Sequence, residues 1–414
     1  VNIIPKKVTD EWKANVSYES TIQSDNQYGN RYGTSLYTSG PVIKEILGLT
    51  LRGSYLKREA SNIFFTDKNG NKVPVYGTSA TGEAQGTRGY NAAAGEIWTM
   101  GGRLDLLASE DHNIWADIDF GRQIYDNSNS GLGTLDTATN ARGYKKDMEF
   151  NRDQYAIGWD GNFDNIGKLN TSFMYNSTET LGRTIPTAAV PTGSTYAGKD
   201  RTLESDSYVF DAKFLAPLGD SHLLTIGTQY WYAEMQDGIT IDTTTGKVPT
   251  MDGQQWSGFA EDEWTILPSL TLTAGLRYDY HDVVGDNLSP RGYLVWKAHD
   301  YWTLKGGVSQ GFKTPAINSF YDGVVGAGGQ GTSLTYGNPD LKPETTTSGE
   351  IGFIFDNQED MVVKCHSILQ RRRREGLRRG TLRQIHFSQR LDGFRQLHLD
   401  QEQVQKRNQI RTAL

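Results

Sequence analysis

The stretch SLTLTAGLRYDYHDVVGDNLSPRGYLVWKAHDYWTLKGGVSQGFK, residues 269–313, decides the fold. From Leu270 the even positions read Leu270, Leu272, Ala274, Leu276, Tyr278 and Tyr280, while the odd positions read Thr271, Thr273, Gly275, Arg277 and Asp279. Successive side chains of a strand point to opposite faces, so this spacing builds one apolar and one polar face. About ten residues finishing in aromatics is the length and ending of a tilted strand that crosses a bilayer. After a loop expected at Asp282–Ser289, a second strand runs back over Gly292–Trp296. Only a tight hairpin fits the four residues Lys297–Asp300, and a third strand follows over Tyr301–Ser309. Up, back and up again is a meander.

The same alternation extends outward in both directions. Trp12, Ala14, Val16 and Tyr18 alternate with Lys13, Asn15, Ser17 and Glu19 as a first strand. Further strands are expected at 31–39, 47–56, 97–107, 114–121, 154–161, 169–176, 208–215, 223–232, 256–264 and 349–355, which makes about fourteen. Connections between them alternate in length. Short ones fall at 40–46, 108–113, 162–168, 216–222, 265–269 and 297–300, and mostly long ones at 57–96, 122–153, 177–207, 233–255 and 310–348. Turns at one end and long loops at the other are the pattern of an outer-membrane barrel. Trp12, Leu272, Leu276, Leu304 and Val308 are then expected to face lipid, with Lys13, Arg277 and Lys305 inward.

Composition agrees with this reading. The 414 residues include 21 Tyr, 15 Phe, 9 Trp and 46 Gly, with a net charge of −7 and a mean hydropathy of −0.57. No run of 18 apolar residues exists, so no transmembrane helix is encoded, whereas barrel strands turn only every second residue to lipid. The single Cys365 supports neither an internal disulfide framework nor a paired-thiol zinc site, and the histidines at 112, 222, 281 and 299 lack ligand spacing. Neither a metal, a cofactor nor a catalytic constellation is expected, and an enzyme is the least favoured class.

Four motifs follow one another across about eighty residues: Glu261-Asp262-Glu263-Trp264, Ser289-Pro290-Arg291, Gly311-Phe312-Lys313-Thr314-Pro315, and Gly337-Asn338-Pro339-Asp340-Leu341-Lys342-Pro343-Glu344. In order and spacing they resemble the barrel of TonB-dependent outer-membrane receptors, most closely the colicin I receptor and related ferric catecholate siderophore receptors. The resemblance covers residues 1 to about 360. It implies an all-β, transmembrane antiparallel meander barrel in the bacterial outer membrane, with a ferric siderophore as ligand, outer-membrane lipid around it and TonB as partner of the intact family. Against the family's pattern, the plug domain, its TonB-contacting segment and the last strands are expected to be missing, with no export signal at Val1. On that account the barrel is incomplete, and iron import by this polypeptide alone is not expected. A passive porin, or a surface receptor exploited by bacteriocins or phage, is the alternative.

The motif residues themselves read as structural. Pro339 and Pro343 suit the head of a strand, and Gly337 with Asn338 supplies turn geometry. Glu261 and Glu263 are expected in the lumen, paired with cations such as Arg277. Ligand binding is expected of the long loops, where basic and aromatic residues occur together: Arg88 and Tyr90, then Arg142, Tyr144, Lys145 and Lys146, joined by Arg183, Lys199 and Arg201. A catecholate iron complex is anionic and ringed with aromatic surface, which cations and Tyr faces suit.

After about Met361 the composition changes. Residues 361–414 hold 13 Lys and Arg against 4 Asp and Glu, a net of +9, which leaves −16 for residues 1–360, and none of the 30 Tyr and Trp lies there. Arg371–Arg374 is a run of four. A basic arm for nucleic acid would sit oddly on a barrel, and no nucleic-acid partner is expected. A shifted reading frame accounts better for the change, and it predicts that residues beyond about 365 add no strand, so the chain divides into a barrel fragment over 1–360 and a tail over 361–414.

Overall fold

The computed structural model describes residues 10–74, 93–128, 130–359, 361–373, 380–391 and 397–400. One antiparallel sheet of 17 strands carries the molecule. Its strands are β1 (Lys13–Thr21), β2 (Arg31–Ile43), β3 (Leu47–Arg58), β4 (Ala94–Ser109), β5 (His112–Asp126), β6 (Tyr144–Asn162), β7 (Lys168–Arg183), β8 (Leu203–Leu218) and β9 (His222–Asp237). They continue with β10 (Thr250–Leu267), β11 (Leu270–His281), β12 (Gly285–His299), β13 (Trp302–Lys313), β14 (Glu344–Asp356), β15 (Met361–Arg373), β16 (Gly380–Leu391) and β17 (Leu397–Asp400). Each strand pairs with its sequence neighbours, and among the described residues β1 and β17 do not pair with each other. All fourteen expected strands are present, each longer than its alternating segment.

Alternation of polarity fixes the two faces. Cross-strand register aligns Leu51, Gly102, Ile118, Tyr155 and Tyr175 on one face, and Ile226, Ala260, Leu276 and Pro290 further along it. Large apolar side chains stand exposed there, among them Leu104, Ile157, Phe173, Phe210, Leu276, Leu304, Val308 and Ile351. Exposed leucine on this scale has a meaning only where lipid, not water, covers it. The opposite face is polar. Arg52 bonds Asp117 and Asp119 at 2.6 and 2.8 Å, Arg103 bonds Asp105 at 3.0 Å and stacks 4.2 Å over Trp115, and Arg277 bonds Asp279 at 2.9 Å. The expected orientations hold: Leu272 and Leu276 share the apolar face and Arg277 lies on the polar one.

Two bands of rings bound the apolar face. Toward the long loops Phe120, Tyr155, Tyr175, Tyr208 and Tyr232 follow one another across five strands at centroid distances of 4.9 to 6.1 Å. Tyr230 and Trp256 extend the line at 4.2 Å. Toward the short turns lie Trp159 with His112 and Phe163, Trp264 with His222, and Trp302 with Phe353 and Phe355. Such paired girdles are what a bilayer's two interfaces select. β6 to β10 run 16 to 19 residues, or about 50–60 Å at ~3.3 Å per residue, so they project beyond the apolar band.

Three expectations need correction. The loop placed at Asp282–Ser289 is a tight turn, because Gly285 adopts φ +79° and β12 begins there, paired with His281. Arg277 does not pair with Glu261. Its neighbour two residues on in the same strand, Asp279, is nearer, and Glu261 meets Arg291 at 3.2 Å. Residues beyond 365 do add strand. β15 pairs with β14 from Asp356↔Val362 to Thr345↔Arg373 and then with β16. The alternation of Val363, Cys365 and Leu369 with Lys364, His366 and Gln370 was present beneath the arginine-rich composition.

Candidate functional site

Among the described residues, most of the buried large side chains gather at the long-loop rim. Met148, Ile185, Ala233, Ile239, Met251 and Val325 are buried there, as are Asn127, Thr184, Arg201, Asp237 and His281. They form the core of a cap built from the connections β5–β6, β7–β8, β9–β10 and β13–β14.

Short polar side chains satisfy the backbone in these irregular segments. Asp136 Oδ1 accepts the backbone N–H groups of Arg142, Gly143 and Tyr144 at 2.7, 2.9 and 3.3 Å, while its Oδ2 accepts the Thr184 hydroxyl at 2.6 Å. One carboxylate thereby ties two loops. Asn127, fully buried, accepts from the N–H groups of Leu132 and Gly133 and donates to the carbonyls of Gly133 and Lys145. Arg201 meets Asp237 through two 2.6 Å bonds, and Asp237 Oδ1 also accepts the Ile239 N–H, starting the short turn Gly238–Thr240.

The β13–β14 connection reaches back over three of these loops. Its hairpin, Val324–Gly328 paired with Ser333–Tyr336, packs against Gly238–Thr240 and against Thr187–Ala189. Tyr321 Oη donates to the Thr240 carbonyl at 3.3 Å. Gly331, at φ +81°, lets the hairpin tip approach the Arg142 carbonyl so closely that a Cβ would lie 2.6 Å from it. Gly337 needs its missing side chain for the same reason, since a Cβ there would fall 2.1 Å from the Tyr321 carbonyl.

Seven of the nine residues expected to bind ligand come together in this cap. Arg183 lies 4.1 Å over the Tyr144 ring and donates through Nε to the Gly143 carbonyl at 2.8 Å. Lys145 pairs with Asp200, Lys146 is exposed, and Arg142 is half-buried beside Gly331. Lys199 sits 4.6 Å over Tyr196. Arg201 is a different case: it is buried against Asp237, so its charge is used within the cap. Arg88 and Tyr90 lie outside the described residues. Asp136, Asn127 and Asp237 are organising residues that the sequence reading missed, because loop Asp and Asn are too common to stand out.

The motif residues are placed as strand and turn elements. Glu261 and Glu263 share the polar face; Asp262 and Trp264 share the apolar one. Gly311, Phe312 and Lys313 end β13 opposite Thr346, Thr345 and Glu344, and Pro315 follows them. Asn338 donates its N–H to the Ser319 carbonyl at 2.7 Å and accepts from the N–H groups of Asp340 and Leu341 at 2.9 and 3.2 Å, a turn that Pro339 fits. Lys342 and Pro343 lead into β14 at Glu344. Among the described residues no group of three or more His, Cys, Asp or Glu is arranged to hold a metal.

Comparison with known proteins agrees with the strand wall. Residues 76–362 match the family of TonB dependent receptor-like β-barrels. The chain belongs to that family, whose members are receptors and transporters and not enzymes. It is 25% identical over 360 residues to the iron-regulated outer membrane virulence protein of Vibrio cholerae, covering 86% of this chain and 47% of that one. It is 28% identical to the probable TonB-dependent siderophore receptor PirA of Acinetobacter baumannii, covering 87% and 49%. The chain therefore spans about half the length of the curated relatives it matches. The crystal structure of the Acinetobacter baumannii siderophore receptor PirA shares the fold with a TM-score of 0.71 at 20% identity, covering 97% of this chain and 64% of that one. A ferric enterobactin receptor (PfeA) in complex with BCV-L6 gives 0.74 at 18%, covering 95% and 64%.

Proposed function

We propose that this chain forms the ligand-recognising wall and cap of an outer-membrane receptor for a ferric siderophore of the catecholate class, with TonB as the energy-supplying partner of the receptor. The observation that carries the reading is the cap itself. Arg142, Tyr144, Lys145, Lys146 and Arg183 stand together above a strand wall whose outer face suits lipid, beside Tyr196 and Lys199. Cations over aromatic faces match an anionic complex ringed by catechols, and a cap held by Asp136 and Arg201 needs little ordering when ligand arrives. The named relatives support it, one being described as a probable TonB-dependent siderophore receptor and another as a ferric enterobactin receptor.

The test is direct binding. Protein purified in detergent is titrated with a ferric tris-catecholate and with a ferric hydroxamate, following intrinsic Trp fluorescence. The catecholate is expected to bind more tightly, and Arg142→Ala with Lys146→Ala to weaken it on the order of tenfold, the scale of one or two charge-assisted contacts. Equal binding of both complexes, unchanged by the substitutions, would overturn the reading.

A further inference from the structure

The motif Glu261–Trp264 contains one residue that neither the wall nor the cap explains. Asp262 is placed by register opposite Leu224 on β9 and Ala274 on β11, on the apolar face. Following that face through the described residues of β3 to β15, on the short-turn side of the ring row that runs from Tyr155 through Tyr208 and Trp256 to Tyr280, Asp262 is the only carboxylate; Asp286 stands in the row itself, opposite Tyr280. All its counterparts on neighbouring strands are apolar, aromatic or small. A carboxylate at membrane depth is costly and persists where something cationic meets it.

Among the described residues its side-chain partner is His222, whose Nδ1 lies 2.7 Å from Asp262 Oδ2. His222 is stacked on Trp264 at 5.4 Å and 14°. The other oxygen, Oδ1, has no hydrogen-bond partner and is itself buried, so the side chain's outward exposure is on the Oδ2 side. The carboxylate's side chain remains 35% exposed, and Trp264 41% exposed beside it. Two residues along the strand from Asp262, Trp264 belongs to the ring band at the short-turn interface. A carboxylate with one buried, unmatched oxygen and an exposed Oδ2 edge, flanked by an indole at the depth of lipid headgroups, is a combination that suits an ammonium.

We propose that Asp262, His222 and Trp264 form a seat on the outer wall for the primary ammonium headgroup of a phospholipid in the leaflet at the short-turn side. The ammonium donates to Oδ2 at the carboxylate's exposed edge and rests against the Trp264 ring, while His222, on the same oxygen, fixes the carboxylate's rotamer. This rests on the outer face being a membrane wall, and the experiment separates the two claims. Purified protein is placed in nanodiscs of mixed phosphatidylethanolamine, phosphatidylcholine and phosphatidylglycerol, then released for native mass spectrometry, which counts the lipids retained by headgroup. Wild type is expected to keep phosphatidylethanolamine over both others by at least fivefold. Asp262→Asn should abolish that preference, and Trp264→Phe should reduce it. Equal retention of all three by wild type, or a preference untouched by Asp262→Asn, overturns the seat while leaving the wall intact. Should Asp262→Asn fail to fold, the wild-type comparison of primary with quaternary ammonium decides alone, equality counting against the seat. Protein that does not enter the bilayer overturns the wall and the seat together.

Discussion

Asp136 is the residue on which the cap's geometry most depends. It accepts three backbone N–H groups and one hydroxyl, and no other side chain among those described replaces it. Asp136→Ala should loosen Arg142–Tyr144 from Thr184, at a cost of about 2–4 kcal/mol for several charge-assisted bonds. Ligand affinity should fall by about tenfold or more, read by titration, with the strand wall's melting unchanged. Asp136→Asn keeps an acceptor for the amides but not for the Thr184 hydroxyl, so it should lie between. A second residue reports on pH. Asp242 lies in a solvent-facing turn, and the Thr245 hydroxyl, followed by the Thr244 and Thr245 amides, holds its carboxyl below the usual 3.8. A pKa lower in the folded state means that the stabilisation is present above 3.8 and is lost as pH falls through the folded value. Amide exchange at Thr244 to Gly246 should therefore quicken only below about pH 4 once corrected for intrinsic rates, and Asp242→Asn should flatten the profile. Neither aspartate could be singled out in the sequence. Each depends on which distant or local donors the folded loop presents, whereas Arg142, Tyr144 and Arg183 could be named in advance because their chemistry is unusual wherever it occurs.

At the scale of strands, period-two alternation carried nearly all the information. It located fourteen strands and their facing because a one-residue slip would exchange the two faces. It was less informative at strand ends, where β6 to β10 leave the apolar band and charged residues such as Asp153 and Glu179 occupy the outer face beside Arg122 and Asn151. It misled at β15, where the arginine run outweighed the alternating residues before it. The facing is checkable with one pair of substitutions on β11. Leu276→Lys puts an ammonium on the lipid face and should destabilise by about 2–4 kcal/mol near mid-band, whereas Thr273→Lys on the polar face should cost little. Urea-dependent folding into vesicles measures both. A larger cost at Thr273 than at Leu276 would mean that the sheet is inside out.

For the whole molecule, the arrangement separates two tasks that a soluble domain combines. The wall has no core of its own: its apolar side chains face lipid and its polar ones face inward as ion pairs. The cap has a core, and the β13–β14 hairpin closes it by reaching loops that follow strands four to eight positions earlier. That reach was not legible in the sequence, because nothing in Gly323–Gly337 states which loops it will meet. It does explain why Gly331 and Gly337 carry no side chain. Replacing 324–336 with a short Gly-Ser link tests the division of labour. The wall should keep its folding transition, since its ladders do not pass through the hairpin. Thr184, Ile185 and Ile239 should lose amide protection, because the hairpin packs on the short turns next to them. Ferric catecholate affinity should drop by more than the single Arg142→Ala change, because Arg142 loses the support of Gly331 and the mouth gains solvent. If protection at Ile185 and Ile239 survives the deletion, the cap is held by its own loops, and the hairpin only shields it.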